Sequence, residues 1–210
     1  MKKILLALSI TFISVFNTSI SKAEHHGTTS GMYVGISSVN FDIDYKQIEG
    51  VDLGLFYQED YYASEIYFGQ EHGNYFYELG YFATSTGTKS LTGTVAGIAF
   101  SGTTAMEFDG LRVSVGRNIN HSAMLESKLK INYYSINFDE RTALAVTTGS
   151  STFLGSASYS GTDDMVTVGY GLNYDINDNF GLEFDYEQSL SEPKNIDEIK
   201  ILGLSLTYKF

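Results

Sequence analysis

The sequence predicts an all-β fold, a closed antiparallel transmembrane β-barrel of eight strands, with ten as the alternative count. Three observations predict it. From Met32 to the C-terminus apolar residues alternate with polar or small ones, the period of two that a strand imposes, and helical periodicity appears nowhere convincingly. The polar faces also mix glycine with charge: Gly80 near Glu78, Gly116 near Arg112, Gly181 near Glu183, Gly203 near Lys209. Glycine on a water-facing strand lowers β propensity for no gain, whereas small and large residues in alternation fill a narrow lumen. Finally, 16 Tyr and 14 Phe stand beside no Trp and no Cys, with Tyr clustered near strand ends as at a membrane interface. A soluble sandwich would share the alternation; the glycine and charge on its polar faces argue for the barrel.

Taken in order, residues 1–23 read as a secretory signal peptide. Lys2 and Lys3 precede an apolar run from Ile4 to Phe16, and Ser21-Lys22-Ala23 supplies the small residues of a cleavage site. The run is too short to span hydrocarbon as a helix. Residues 24–30 then form an N-terminal tail and 31–210 the barrel. Nine strand windows follow, at 31–41, 48–57, 61–70, 74–84, 106–117, 122–138, 163–175, 179–189 and 198–210. A closed antiparallel ring with both ends of the chain on one side needs an even number. Either 48–57 is an arm continuous with 61–70, leaving eight, or 91–100 (LTGTVAGIAF) is a tenth strand. The short turns at 71–74, 118–122 and 175–179 all fall on one side only with eight. The longer connections near 42–59, 85–105 and 139–161 then share the other side. Two stretches there, 90–104 and 147–162, are uncharged and rich in Ser, Thr, Gly and Ala. They read either as flexible loop or as hairpins running past the membrane with unpaired edges that could add strands from a partner.

The charged residues on polar faces define the candidate lumen. Acids Glu65, Glu78, Glu126, Glu183, Asp185 and Glu187 and bases Arg112, Lys128, Lys130 and Lys209 form a set able to pair in the interior. With Tyr33, Tyr67, Phe82 and Tyr134 on the same faces, an eight-stranded lumen is filled by side chains and an open channel is not expected. Loss of residues 1–23 removes three lysines and no acid, leaving ten bases against 25 acids and a net charge of −15. So acidic a chain is no nucleic-acid binder, and the absence of cysteine excludes a disulfide scaffold. No cofactor is expected. One metal site suggests itself: cleavage after Ala23 would leave Glu24-His25-His26 at the mature terminus. Its amine, two amides and imidazole would suit square-planar Cu(II) or Ni(II); a merely solvated polar tail is the plainer reading.

Tyr33-Val34-Gly35, Glu78-Leu79-Gly80-Tyr81-Phe82, Asn179-Phe180-Gly181-Leu182-Glu183 and the terminal Leu206-Thr207-Tyr208-Lys209-Phe210 together resemble the small outer-membrane β-barrel family of Gram-negative bacteria, the OmpA-like and OmpX-like barrels. The resemblance covers 31–210 through short motifs, of which the last is the most specific. It implies export to the outer membrane, contact with lipid and lipopolysaccharide, a periplasmic tail at 24–30, and outward-facing long connections. It also implies that Leu206, Tyr208 and Phe210 form a signal for the barrel-assembly machinery. The fold does not fix function. Some such barrels are lipid-A-modifying enzymes, which need a His-centred constellation near the outer leaflet. Here His72 and His121 fall in short periplasmic turns and His25 and His26 on the tail, so the chain is not expected to be an enzyme. The expectation is a non-enzymatic barrel with a charge-paired lumen and extracellular hairpins for adhesion or envelope integrity, partnered by an extracellular protein or host ligand. A narrow porin-like channel is the alternative.

Overall fold

A computed structural model describes residues 31–48, 51–95 and 98–210. The expected signal peptide and tail and the candidate Glu24-His25-His26 metal site lie outside the described residues. In chain order the strands are β1 (Met32–Tyr45), β2 (Gln47–Ile48), β3 (Val51–Asp52), β4 (Asp60–His72), β5 (Tyr75–Thr84), β6 (Gly87–Val95), β7 (Ile98–Asn120), β8 (Leu125–Thr148), β9 (Ser151–Asp175), β10 (Phe180–Ser191) and β11 (Ile196–Lys209). A short 3-10 turn, Leu53–Leu55, follows β3.

Eight of these strands close a ring in the order β1, β4, β5, β7, β8, β9, β10, β11, with β11 returning to β1. Every neighbour is antiparallel, from Tyr33 against Lys209 at the final seam to Gly80 against Arg112 where β5 meets β7. The end of the ring that holds Phe210 also carries the short turns after His72, Asn120 and Asp175. The other end carries the longer connections. We call these the turn end and the mouth.

Two strand windows required correction. The window 48–57 is no arm of 61–70: it takes in Ile48 at the end of β2, its antiparallel partner β3, and the 3-10 turn, where Asp52 Oδ1 accepts from the Gly54 N–H. Nor is 91–100 a tenth strand. It straddles the end of a hairpin, because β6 ends at Val95 and β7 begins at Ile98, opposite it. The alternation in 91–100 is real, but β6 borders β7 only from Met106 outward, and β5 takes that edge from Asp109 inward. One long strand thus has two successive neighbours on one side.

Side-chain polarity reverses along the barrel. Near the turn end, β1 turns Met32, Val34 and Ile36 outward and Tyr33, Gly35 and Ser37 inward; nearer the mouth it turns Asn40, Asp42 and Asp44 outward and Val39, Phe41 and Ile43 inward. On β11 the same reversal separates outward Leu202, Leu204, Leu206 and Tyr208 from outward Glu198 and Lys200, while Ile199 and Ile201 point inward. On β8 it falls between outward Tyr133 and outward Ser135. The outward apolar band spans about nine residues on β8, β9 and β11, as in Leu125 to Tyr133, close to the length needed to cross a bilayer, and is shorter on β1. Above it the wall obeys the rule of a soluble protein, polar outside and apolar inside. Exposed tyrosines Tyr62, Tyr81, Tyr133 and Tyr186 mark the mouth side of the band; Tyr75, Tyr174, Phe180 and Tyr208 mark the other.

Candidate functional site

Within the band, the lumen is filled by ions. Arg112, nearly enclosed, places Nε 2.6 Å from Glu65 Oε1 and Nη1 2.9 Å from Glu78 Oε2. Lys128 Nζ lies 2.7 Å from Glu183 and 3.6 Å from Glu78; Lys130 Nζ lies 2.6 Å from Asp185, 3.4 Å from Glu187 and 3.9 Å from Glu183. Three cations and five carboxylates on five strands therefore form one connected network. Hydroxyls extend it: Tyr33 donates to Glu78 at 2.7 Å, and Tyr134 and Thr167 donate to Glu187 at 2.8 Å each. Aromatic faces cover two of the three cations, with Arg112 5.2 Å from the Tyr67 ring and Lys128 5.0 Å from that of Tyr33. The remaining space beside Glu65, Arg112, Lys130 and Asp185 is about 10 Å³, room for one water.

Two members of the sequence-derived set stand apart. Lys209 pairs with Asp175 at 3.0 Å near the turn end, and Glu126, half-buried, makes no ion pair among the described residues and leaves Oε1 without a hydrogen-bond partner. Both lie at the end of the lumen, below the layer that holds the other eight. Asp175 was missed because it ends a strand that the sequence reads as entering a turn.

Glycine is required where the network crowds the wall. Tyr33 lies opposite Gly69 and Gly35 opposite Tyr67 across the β1–β4 seam, and each tyrosine ring occupies the place a Cβ would take on the facing glycine. The two rings meet edge to face at 6.3 Å. This exchange lets two large side chains lie flat in a lumen only eight strands wide.

Toward the mouth the lumen is apolar, which the sequence analysis did not anticipate. Phe41, Phe82, Phe108 and Tyr134 pack with ring centroids 5.2–6.4 Å apart, joined by Met165 and Ile201. Above this layer opens a cavity of about 240 Å³ floored by Phe41, Phe108, Ile136 and Ile199. Two connections border it. Tyr57, from the segment after the 3-10 turn, stacks on Tyr45 at 5.3 Å and donates to Glu140 at 3.2 Å; burial first, then the Glu140 charge, pushes its phenol up to about 12. The Lys46 backbone N–H donates to the Asn195 carbonyl at 3.0 Å, joining this segment to the 192–195 connection, where Asn195 takes a left-handed conformation, φ 73°.

Beyond the mouth β7, β8 and β9, of 23, 24 and 25 residues, run far past what a bilayer needs. With β6 they make a four-stranded sheet, β6–β7–β8–β9, paired from Gly87 against Met106 through Ala99 against Thr147 to Thr148 against Ser151. The stretches 90–104 and 147–162 are its arms and ends, so of the two readings of their composition the projecting hairpins are what forms. Its lateral edges, β6 on one side and 151–164 of β9 on the other, have no strand neighbour among the described residues, since β10 reaches β9 only from Val166. Phe153, Leu154 and Tyr159 are exposed on it, Leu154 at 83%.

His72 and His121 lie at the turn end, and His121 Nε2 is 2.6 Å from the Ser127 hydroxyl. Among the described residues no three His, Cys, Asp or Glu side chains form a metal-binding group.

Among solved structures, the chain is similar to the attachment invasion locus protein Ail of Yersinia pestis. Identity is 11% and the TM-score 0.50, over 88% of this chain and 100% of that one. It is likewise similar to Neisserial surface protein A, at 12% identity and a TM-score of 0.52, over 88% and 98% of the two chains. No protein-family model matches the sequence, and no curated protein matches it. The shared property is the fold: an antiparallel all-β ring of the small outer-membrane β-barrel type.

Proposed function

We propose that this chain, built on the small outer-membrane β-barrel fold, is a non-enzymatic protein of the Gram-negative outer membrane that contacts macromolecules at the cell surface through its four-stranded sheet. The apolar band is the surface that lipid covers, the turn end faces the periplasm, and the mouth faces outward. The observation that carries the reading is the projecting sheet. Strands several turns of the pleat longer than a bilayer requires, with two unpaired edges and exposed Phe153, Leu154 and Tyr159, offer backbone and side-chain contacts to an extracellular protein or host ligand.

The packed ion network supports a plug over a pore, since the space beside Glu65, Arg112, Lys130 and Asp185 holds about one water. The described histidines sit at the periplasmic end, away from the outer leaflet where a lipid-modifying site would be needed. Lipopolysaccharide is an unavoidable neighbour of such a barrel. Its phosphates would meet an acidic chain, so divalent cations would have to bridge them.

The test is to remove the outer part of the sheet without touching the barrel. Ala143 and Ser156 are paired, so excising 144–155 and closing with Asn-Gly leaves a shorter hairpin. Cells displaying the whole chain should attach to an epithelial monolayer, and cells displaying the excised form should not, while both show heat-modifiable migration. Equal attachment by the excised form would refute the contact role.

A further inference from the structure

Independently of the contact role, we propose that the cavity at the mouth is a binding site for a small apolar molecule carrying an amino group. Its volume, about 240 Å³, exceeds the roughly 150 Å³ apolar cavity that stays dry and admits benzene, and suits a bicyclic aromatic body. The floor of Phe41, Phe108, Ile136 and Ile199 offers water no hydrogen bond, so an apolar guest displaces only poorly held solvent.

The carboxylates of the lining are Glu140 and Asp163, the cation is Lys194, and the phenols are those of Tyr45, Tyr57 and Tyr159. The polar lining also includes Thr162 and Asn195. Asp163 accepts the backbone N–H groups of Asp164 and Lys194, at 2.9 and 3.0 Å. Glu140 receives Tyr57 and Thr142 on the same oxygen, Oε1, which leaves Oε2 to accept from a guest. Two carboxylates against one ammonium favour a cationic head over a carboxylate. Below the floor, the layer of Phe41, Phe82 and Tyr134 stands between the cavity and the ion network.

The whole protein, refolded into lipid nanodiscs so that no detergent competes, is titrated calorimetrically with 1-naphthylmethylamine and with 1-naphthoate, each against empty nanodiscs. Saturable one-to-one binding of the amine is expected, with the carboxylate weaker by about tenfold or more, as for loss of a charge-assisted hydrogen bond. Ile199→Trp, which fills the floor, should abolish saturation while heat-modifiable migration shows the barrel intact. Glu140→Gln, a rim change that leaves the core alone, should weaken the amine by about tenfold and leave 1-naphthylmethanol little changed. The proposal is overturned by uptake no greater than that of empty nanodiscs, by naphthoate binding as tightly as the amine, or by Glu140→Gln binding both probes like the wild type.

Discussion

Replacing Arg112 with methionine keeps an unbranched stem but removes the guanidinium that lies over the Tyr67 ring, and with it the charge that two buried carboxylates share. Glu78 retains Lys128 at 3.6 Å and the Tyr33 hydroxyl at 2.7 Å. Glu65 retains no cation within ion-pair distance among the described residues, and its side chain is 7% exposed. Stranding a buried charge in this way costs about 3–5 kcal/mol, whereas an exposed pair at the same distance would be worth about 0–1. The cation–π contact adds about 0.5–2 kcal/mol, so a loss of at least 3 kcal/mol is expected. Urea unfolding in lipid vesicles, followed by gel mobility because the chain has no Trp, measures it. Arg112→Met with Glu65→Gln leaves no stranded carboxylate and should recover more than half of the loss. A single-variant cost below about 1 kcal/mol would mean a wet, screened lumen and would refute the packed-plug description. So would a double variant no more stable than the single.

The remaining predictions concern the ring, the wall and the chain end. With Leu79→Cys and Val113→Cys, an oxidant or short bifunctional thiol reagent should link the pair, since Leu79 and Val113 are direct partners in the β5–β7 seam. In a ten-stranded ring an intervening strand would hold them about 9–10 Å apart and no link would form. Gly35→Val drives a side chain into the Tyr67 ring and should lower stability by about 1–3 kcal/mol in the same urea assay. Gly31→Val, with nothing within 4 Å of its Cβ position, should be nearly neutral. Phe210 is 73% exposed, packing edge to face on Tyr208; its buried quarter accounts for about 1 kcal/mol of stability. If it is an assembly signal, its deletion should reduce outer-membrane insertion in cells well beyond the roughly fivefold that such a loss explains, and unchanged insertion would refute that role.

Much of the ring was legible because a strand half in lipid and half in a lumen writes its orientation into every second residue. Leu202 to Phe210 on one face and Gly203 to Lys209 on the other are an instance. The candidate lumen residues were legible for the same reason: a charge such as Arg112, between outward Leu111 and Val113, has only the interior to face. Three things were hidden. The 91–100 alternation looked like a ring strand because β6 and the outer part of β7 are a true ladder, and alternation cannot report which neighbour a strand takes. The isolation of Glu126 and the pairing of Lys209 with Asp175 depend on height along the lumen, set by the offset between strands that are distant in sequence. The mouth cavity was invisible since its floor comes from β1, β7, β8 and β11 at once.

Fold class, the outward face of each strand within the apolar band and most of the interior charges were legible in the sequence, for period-two polarity is a local property that each strand carries alone; Asp175 was not. Tertiary structure decided the ring of eight, the connection of those charges into one network, the aromatic floor above them and the open sheet beyond. Each of these depends on register between strands, and register is the sum of pairings that no single strand contains.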